Sequence, residues 1–327
     1  MLPVEVTSVE LTNEGLRFDR CFTLIYPTDG PPDSVAKHLT IKNNFKLCLF
    51  QPSIDETWTK LTITHNGSAP PSAVVVPLTP SPVGLLNANT YTVSIFGTAA
   101  PGVDMGDEPA NFFSKHLNER VRLVFIGGSG CREIPGAAYV PKQLNALSIA
   151  VREGLQPQRI RFADAAPLLI TTTASEQDLR ARLPQRFQDE DIILRLRPNI
   201  HIDVKGLLSA YDEDYWSSLL VQSRPERSQE VTIKCIFRTV RCLSLNADPE
   251  TGTMITRERQ LYGLLAPHRR VNERFPRETP EYSSQNFEVV DECAIDRPVF
   301  GQYGFGGPSG TILRRGDKIV VTERISE

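Results

Sequence analysis

The stretch Cys-Leu-Ser-Leu-Asn-Ala-Asp-Pro-Glu-Thr-Gly at Cys242–Gly252 decides how we expect the second half of the chain to fold. An Asp-Pro pair at 248–249 with a glycine three residues later is typical of a tight turn. The turn predicts a hairpin, so residues 243–247 are expected to form a strand. Cys242 would then lie at the far end of that strand, as a thiol held on rigid backbone.

A second informative stretch, Leu-Arg-Leu-Arg-Pro-Asn-Ile, occupies Leu194–Ile200. Pro198 excludes a helix there, and alternating apolar residues from Ile200 onward predict a strand. Arg197 and Asn199 then point to the same side. An arginine fork suits a phosphate and an amide suits the edge of a heterocycle, so the pair could clamp an anionic ring compound. The alternative for Arg197 is a structural salt bridge.

The composition excludes several classes of partner. With 327 residues, of which 40% are hydrophobic and 23% charged, the chain can form a substantial core and is expected to contain two domains. The net charge of -3 and the absence of a lysine and arginine run exclude nucleic acid as the main partner. No apolar run reaches the roughly 18 residues that a membrane segment needs, so the chain as printed is expected to be cytoplasmic.

The six cysteines are scattered, with no Cys-x-x-Cys spacing and no secretory signal ahead of them. This pattern favours a reducing compartment and argues against a structural zinc or iron–sulfur site. By residue type alone Cys242 is more often a buried small hydrophobe than a ligand, and we assign Cys235 to packing.

Hydrophobic patterning predicts an α+β, β-rich fold: an N-terminal β-barrel-like domain, then a second β-barrel domain with peripheral helices. The expected boundaries are a first domain at 1–125, a linker at 126–158 and a second domain at 159–325. Helix signals occur at Asp107–Leu117, where acids and a proline open an apolar stripe. The turn at 315–317 predicts a closing hairpin.

Three smaller features also yield expectations. Ser175 is predicted to cap the start of a helix that ends before Pro184. The acidic run at 212–214 is predicted to be a solvated helix start. Asp164, which precedes an apolar segment, is by residue type a cap or turn residue that accepts from backbone donors.

Taken together, the chain resembles the MOSC family, the molybdenum cofactor sulfurase C-terminal domains, and within it the eukaryotic mitochondrial amidoxime reducing component group. Eight segments in the family's order carry the resemblance: Gly15–Phe22, Val103–Asp107, Phe162–Ile170, Arg197–Ile200, Tyr211–Trp216, Arg241–Gly252, Phe300–Tyr303 and Gly310–Asp317. Together they cover nearly the whole chain.

The resemblance implies a molybdenum–pterin cofactor (Moco) and reduction of amidoximes and hydroxylamines by oxygen-atom transfer to molybdenum. It implies Cys242 as the metal ligand, with Asp164 close to the reacting oxygen. Some bacterial relatives carry a fused ferredoxin-like domain that is absent here, so a b-type cytochrome and its NADH-dependent reductase are the implied electron donors. The mitochondrial members carry an anchor, which leaves a mitochondrial outer-membrane location open beside the cytoplasmic one.

The resemblance also implies which residues hold the cofactor: Arg20, Arg197 and Asn199, with Arg241 beside the thiolate. Arg20 alternatively only pairs with its neighbour Asp19. The chain departs from the family at Val240, where the reducing components have a serine that contacts the cofactor. Thr239 compensates only if its side chain turns inward. The family's earlier Tyr-Pro-x-Lys-Ser strand, whose lysine contacts the cofactor, is missing from the printed chain, so the N-terminal barrel is expected to lack its first strand.

Two other functions stay open. The first is a sulfur or cofactor carrier of the sulfurase type, in which Cys242 bears a persulfide or holds the cofactor for delivery. In the wider family that function comes with a pyridoxal-phosphate domain, which a chain of this length does not accommodate. The second is a degenerate scaffold that binds no metal.

Overall fold

The computed structural model describes residues 1–28, 34–95, 97–127, 130–134, 158–222, 230–271 and 297–324. Most of the predicted linker, residues 135–157, lies outside the described residues, and the two domain boundaries stay predictions. The described part of the linker includes a short strand, so this stretch is not all loop.

Short strands dominate the first part of the chain. Its elements are β1 (Ser8–Thr12), β2 (Gly15–Leu16), β3 (Phe22–Tyr26), β4 (Val35–His38), a 3-10 helix (Phe45–Leu49), β5 (Phe50–Ile54), β6 (Lys60–His65), β7 (Ser72–Pro77), α1 (Pro82–Leu85), β8 (Thr90–Ile95), β9 (Thr98–Asp104), α2 (Asp107–Leu117) and β10 (Arg122–Phe125). Strands β10, β3, β4, β8 and β9 close into a barrel, and β5, β6 and β7 form a separate three-stranded sheet.

The sequence explains these elements directly. In β7, Val74 and Val76 are buried whereas Val75 between them is 51% exposed, the alternation of a strand with one face on a core. Helix α2 begins after Gly106, which has φ +91°, and carries acids in its first turn, where they complement the helix dipole. Phe113 on its inner face is fully buried.

The second part contains a larger sheet. Its elements are β11 (Arg132–Ile134), β12 (Gln158–Ile160), β13 (Leu168–Thr172), α3 (Thr173–Ala181), a 3-10 helix (Gln185–Phe187), α4 (Ile193–Leu196), β14 (Ile200–Ile202), a 3-10 helix (Asp212–Tyr215), β15 (Trp216–Gln222), β16 (Glu230–Val240), 3-10 helices (Leu243–Asn246 and Arg257–Arg259), α5 (Leu261–Arg269), β17 (Val299–Gly307), β18 (Thr311–Arg314) and β19 (Lys318–Arg324). Six strands form one sheet in the order β14-β13-β17-β16-β15-β19. The predicted β-rich class, with a barrel first and peripheral helices, is confirmed.

The two parts of the chain are joined by pairing and by packing. Strand β1 pairs antiparallel with β18 near the other end of the sequence. Ala247, in the loop after Cys242, packs in a core cluster with Phe50 and Phe113 of the first part. The Cys48 thiol donates to the main-chain oxygen of Asp248 at 3.0 Å. The loop that follows Cys242 is therefore held by both parts of the chain.

The predicted closing hairpin at 315–317 is wrong. The turn itself forms, with the amide of Asp317 donating to the Arg314 carbonyl at 3.1 Å. The strands on either side then separate, because β18 pairs with β1 and β19 pairs with β15. The residues of the turn do not show that each flanking strand pairs with a strand far away in the sequence. The helix predicted at Ser175 begins two residues earlier, at Thr173 with Thr172 as its cap.

The acidic run at 212–214 is not solvated as predicted, since Glu213 is fully buried and Asp214 is 5% exposed. One oxygen of Glu213 accepts hydrogen bonds from the hydroxyls of Thr172 at 3.1 Å and Ser175 at 2.8 Å. Asp214 pairs with the Arg269 guanidinium at 2.6 Å. Burial raises the pKa of Glu213 above its ordinary value, so the folded protein favours the neutral acid.

Because Glu213 is buried, we expect the difference in unfolding free energy between the wild type and Glu213→Gln to depend on pH. A raised folded-state pKa means that the folded state holds the proton more tightly than the unfolded chain. The stability from Glu213 is therefore present at acid pH and is lost as the pH rises from its ordinary value of 4.5 toward its folded pKa. Denaturant unfolding at pH 4.5 and 7 should show the glutamine variant gaining stability relative to wild type at the higher pH. A difference that is constant between the two pH values would contradict the buried neutral acid.

Candidate functional site

Cys242 lies directly after β16, and the strand predicted at 243–247 is wrong. Leu243–Asn246 is a 3-10 helix instead, and strand pairing is reduced to one bridge between Ala247 and Met254. Residues 245–247 are all buried, and in a strand Leu245 and Ala247 would point to the same face. A helical turn sends Leu245 and Ala247 into two different core clusters.

The tight turn at 248–252 forms as predicted. The Gly252 amide donates to the Asp248 carbonyl at 2.9 Å, and the Glu250 amide donates to the Asp248 carboxylate at 3.0 Å. Gly252 adopts φ +66° with Leu49 against it, so a larger residue there would be strained as well as crowded. The half-buried Cys242 is thus followed by a loop with little freedom.

Arg241 precedes the thiol in the chain and also contacts the segment that carries Arg197. Arg241 is 8% exposed and donates to the Leu196 carbonyl at 2.7 Å, and burial lowers its pKa. Arg197 ends helix α4 in the left-handed region with φ +56°, and its buried Nε has no hydrogen-bond partner within the described segments. Burial, with repulsion from Arg20 and Arg241, lowers the pKa of Arg197 to about 10. Among the described residues no carboxylate forms an ion pair with Arg197, which argues against its salt-bridge alternative.

Arg20 and Asn199 meet through Asp19. Arg20 donates to the Asp19 carboxylate at 2.5 Å, and this charge is the main reason that the pKa of Arg20 is raised. The Asn199 amide nitrogen donates to the other Asp19 oxygen at 3.0 Å, and the Asn199 side-chain oxygen accepts from the Leu169 amide at 2.9 Å. Asn199 therefore braces the Asp19–Arg20 pair, and one amide hydrogen is left for a ligand.

Asp164 is exposed, and its negative charge adds to the effect of Asp19 in raising the pKa of Arg20. The same charge offsets part of the lowering that burial causes in the pKa values of Arg197 and Arg241. Its carboxylate accepts no backbone hydrogen bond from the described residues, so the cap or turn interpretation has no support there. The neighbouring Phe162 amide donates to the Arg20 carbonyl at 3.0 Å, which ties the Asp164 segment to Arg20.

Arg132, which the sequence analysis missed, holds the Asp164 segment from behind. This fully buried side chain donates to the main-chain oxygens of Asp164 at 2.9 Å, Arg161 at 3.1 Å and Ile95 at 2.7 Å, and also to that of Ala163. It lies in a stretch predicted to be linker, and no sequence pattern marks it as buried.

Thr239 lies on β16 three residues before the thiol, and Tyr303 lies close to Arg241 and Asp164. Thr239 is 1% exposed, and its buried hydroxyl has no partner in the part of the chain that the structure describes. The Tyr303 phenol pKa is raised by burial and by the Asp164 charge, so Tyr303 is a neutral donor at physiological pH. Its ring packs edge-on against Phe237 with centroids 5.4 Å apart. Tyr303 lies within a recognised sequence segment, although no role was predicted for it.

A small cavity of about 10 Å³ lies beside the loop that follows the thiol. Arg197, Cys48 and Ser244 are among the residues that line it. The Ser244 hydroxyl lies 3.0 Å from the Cys242 sulfur. The space is bordered by residues from both parts of the chain, which explains why neither half of the sequence alone indicates it.

Comparison with known families agrees with this arrangement. The MOSC domain model matches residues 157–320, and the model of the MOSC N-terminal beta barrel domain matches residues 1–120. The chain belongs to the MOSC domain family. The resemblance stated from the sequence segments is therefore confirmed.

Relatives of this MOSC chain share the same designation at modest identity. Mitochondrial amidoxime-reducing component 1 of Mus musculus is 24% identical over 321 residues, covering 97% of this chain and 77% of the relative. Mitochondrial amidoxime reducing component 2 of Macaca fascicularis is 29% identical over 268 residues, covering 78% and 65%. The human component 2 is 31% identical over 165 residues, covering 50% and 42%. The chain thus spans about two thirds to three quarters of the first two relatives. The family match and the names of these relatives together indicate a molybdenum-cofactor-related, oxidoreductase-type protein.

The residues of this MOSC site suit an anionic cofactor that carries a soft metal. Buried polar atoms in folded proteins nearly always have partners, yet the Arg197 Nε and the Thr239 hydroxyl have none among the described residues. The positive charges of Arg20 and Arg241 act on Arg197 and are only partly balanced by Asp164 and Asp19. A thiolate is a soft ligand for a transition metal. Unpaired donors, excess positive charge and a thiol are what a metal–pterin phosphate would require.

Proposed function

We propose that this MOSC chain binds a molybdenum–pterin cofactor through the Cys242 thiolate and reduces N-hydroxylated compounds such as amidoximes and hydroxylamines. The observation that carries the proposal is the half-buried Cys242 thiol next to Arg241, with the Ser244 hydroxyl 3.0 Å from the sulfur. Ser244 and Arg197 line the same small cavity, and the Arg197 Nε has no hydrogen-bond partner among the described residues. When bound, the cofactor would supply the two-electron couple for removing the substrate oxygen.

The chain's own residues would have separate roles. Arg20, Arg197 and Arg241 would balance the negative charge of the cofactor, and Asn199 would keep Arg20 in place through Asp19. Thr239 offers a buried hydroxyl close in sequence to the thiol, where Val240 provides none. Asp164 is exposed among the arginines and can hold or pass a proton at the departing hydroxyl.

The electron donors and the location are also part of the proposal. We expect a b-type cytochrome and its NADH-dependent reductase to supply the electrons. Within the described segments no helix is both long and apolar enough to cross a membrane. The printed names of the relatives are mitochondrial, and cell fractionation would decide between mitochondrial and cytoplasmic placement of this chain.

The test is to produce the protein in a host that makes the cofactor, measure molybdenum and pterin per chain, and assay benzamidoxime reduction with a chemical electron donor. Near-stoichiometric metal and pterin with turnover would support the proposal. Pterin bound without turnover would favour the carrier of the sulfurase type, and absence of both would favour the degenerate scaffold.

Replacing Arg197 should affect cofactor binding without lowering the stability of the cofactor-free protein. Its guanidinium is largely buried without an ion-pair partner, and removing an uncompensated buried charge is often neutral or stabilising. Arg197→Gln should therefore unfold at the same or a higher denaturant concentration in the cofactor-free form, while pterin content falls by about 10-fold or more. A large loss of stability with unchanged pterin content would instead show that Arg197 is structural.

A further inference from the structure

The Cys242 sulfur has one close polar neighbour among the described side chains, the Ser244 hydroxyl at 3.0 Å. The separation is within hydrogen-bond range for oxygen and sulfur. This hydroxyl makes no other hydrogen bond in the part of the chain that the structure describes. It is therefore free to direct its proton at the sulfur.

The backbone holds Ser244 in that position. It lies on the 3-10 helix Leu243–Asn246, and its carbonyl accepts from the Ala247 amide at 3.3 Å. The next residue, Leu245, is fully buried, and the Asn246 side chain accepts from the Tyr262 amide at 3.2 Å. Because the following residues are fixed by the core, the backbone at Ser244 is held beside the sulfur.

The protonation state of the sulfur sets the direction of the contact. A thiol can donate or accept, so in the free protein either atom can be the donor. A sulfur that binds a metal as thiolate has lost its proton and can only accept. In the loaded protein, then, the serine O–H must donate to the sulfur for the contact to persist.

We infer that Ser244 is a positioning residue that donates a hydrogen bond to the Cys242 sulfur and raises the reduction potential of the metal held there. The inference rests on the proposed function, because it takes Cys242 as a metal ligand. A hydrogen bond to a thiolate withdraws electron density from the sulfur, which weakens its donation to the metal and favours the reduced state. The 3-10 helix Leu243–Asn246, which forms instead of the predicted strand, brings the Ser244 hydroxyl to the Cys242 sulfur.

The chain offers a graded set of variants. Ser244→Ala removes only the hydroxyl. Ser244→Thr keeps the hydroxyl and adds one methyl group beside the small cavity that Ser244 lines. Leu243→Ala changes the residue between the two partners on the same turn, and Leu243 is 48% exposed, so it serves as the control for general disturbance of the turn.

The experiment is a redox titration of the metal-loaded proteins, followed by the paramagnetic resonance of the one-electron-reduced metal. Ser244→Ala should retain its metal and show a lower midpoint potential and an altered resonance. Ser244→Thr should restore both toward wild type, and Leu243→Ala should match wild type. An unchanged midpoint potential in Ser244→Ala, or an equal shift in Leu243→Ala, would overturn the inference.

The molybdenum content of the variants shows whether the role of Ser244 or the proposed function itself is wrong. If Cys242→Ala keeps its molybdenum, Cys242 is not the ligand and the proposed function itself is wrong. If molybdenum depends on Cys242 but Ser244→Ala has the wild-type potential, the function stands and only the role of Ser244 is wrong.

Discussion

Cys242→Ala is expected to lose nearly all bound molybdenum while remaining folded. Groups that merely orient a metal ligand contribute about 10- to 100-fold to affinity, so loss of the ligand itself should exceed that range. The side chain is half-buried and makes one polar contact, to Ser244, so the cost to unfolding should be about 1 kcal/mol or less. Elemental analysis and denaturant unfolding on the same preparations measure both effects.

A second cysteine provides the matched control for that variant. Cys131 is also half-buried, and its sulfur accepts a hydrogen bond from the Arg159 guanidinium at 2.9 Å. Cys131→Ala should keep the wild-type metal content. Equal metal loss in the two variants would mean that thiol removal acts through general damage rather than through loss of a ligand.

Arg132→Met is expected to be the most destabilising single substitution, at about 3–5 kcal/mol. The side chain is fully buried, and its guanidinium donates to four main-chain carbonyls and to the Thr98 hydroxyl. Methionine matches the volume but donates nothing, so several buried acceptors would be left unpaired. Because two of the carbonyls belong to Ala163 and Asp164, the acid beside the arginines would also lose its position.

An exposed arginine gives the comparison for Arg132. Arg315 pairs with Glu5 at 2.8 Å, and both side chains are at least three-quarters exposed. Arg315→Met should therefore change the free energy of unfolding by about 0.5 kcal/mol or less. A loss of similar size at the two positions would show that the hydrogen bonds of Arg132 are replaced by water. The loss of unfolding free energy in Arg132→Lys should lie between those of Arg132→Met and Arg315→Met. A lysine ammonium cannot reach every acceptor that the planar arginine guanidinium contacts.

Much of the site could be predicted because its residues lie in short, chemically distinctive segments. Arg197, Arg241 and Cys242 were predicted as site residues in this way, and the structure brings Arg241 close enough to Arg197 for its charge to act on that guanidinium. The function of Asn199 was less visible, because its link to Asp19 spans 180 positions of the chain. Glu213 was taken for a surface acid, since composition cannot show that two hydroxyls from another helix will cover it.

The sequence by itself determined the β-rich class, the MOSC family and the turn at 248–252. These depend on local patterns, such as alternating apolar residues or an Asp-Pro turn, that act within a few residues. Only the tertiary structure decided that residues 243–246 form a 3-10 helix, that β18 and β19 separate, and that Arg132 supports Asp164. Each of these outcomes depends on burial against residues far away in the chain, and that burial outweighs local preference because packing energies exceed propensity differences.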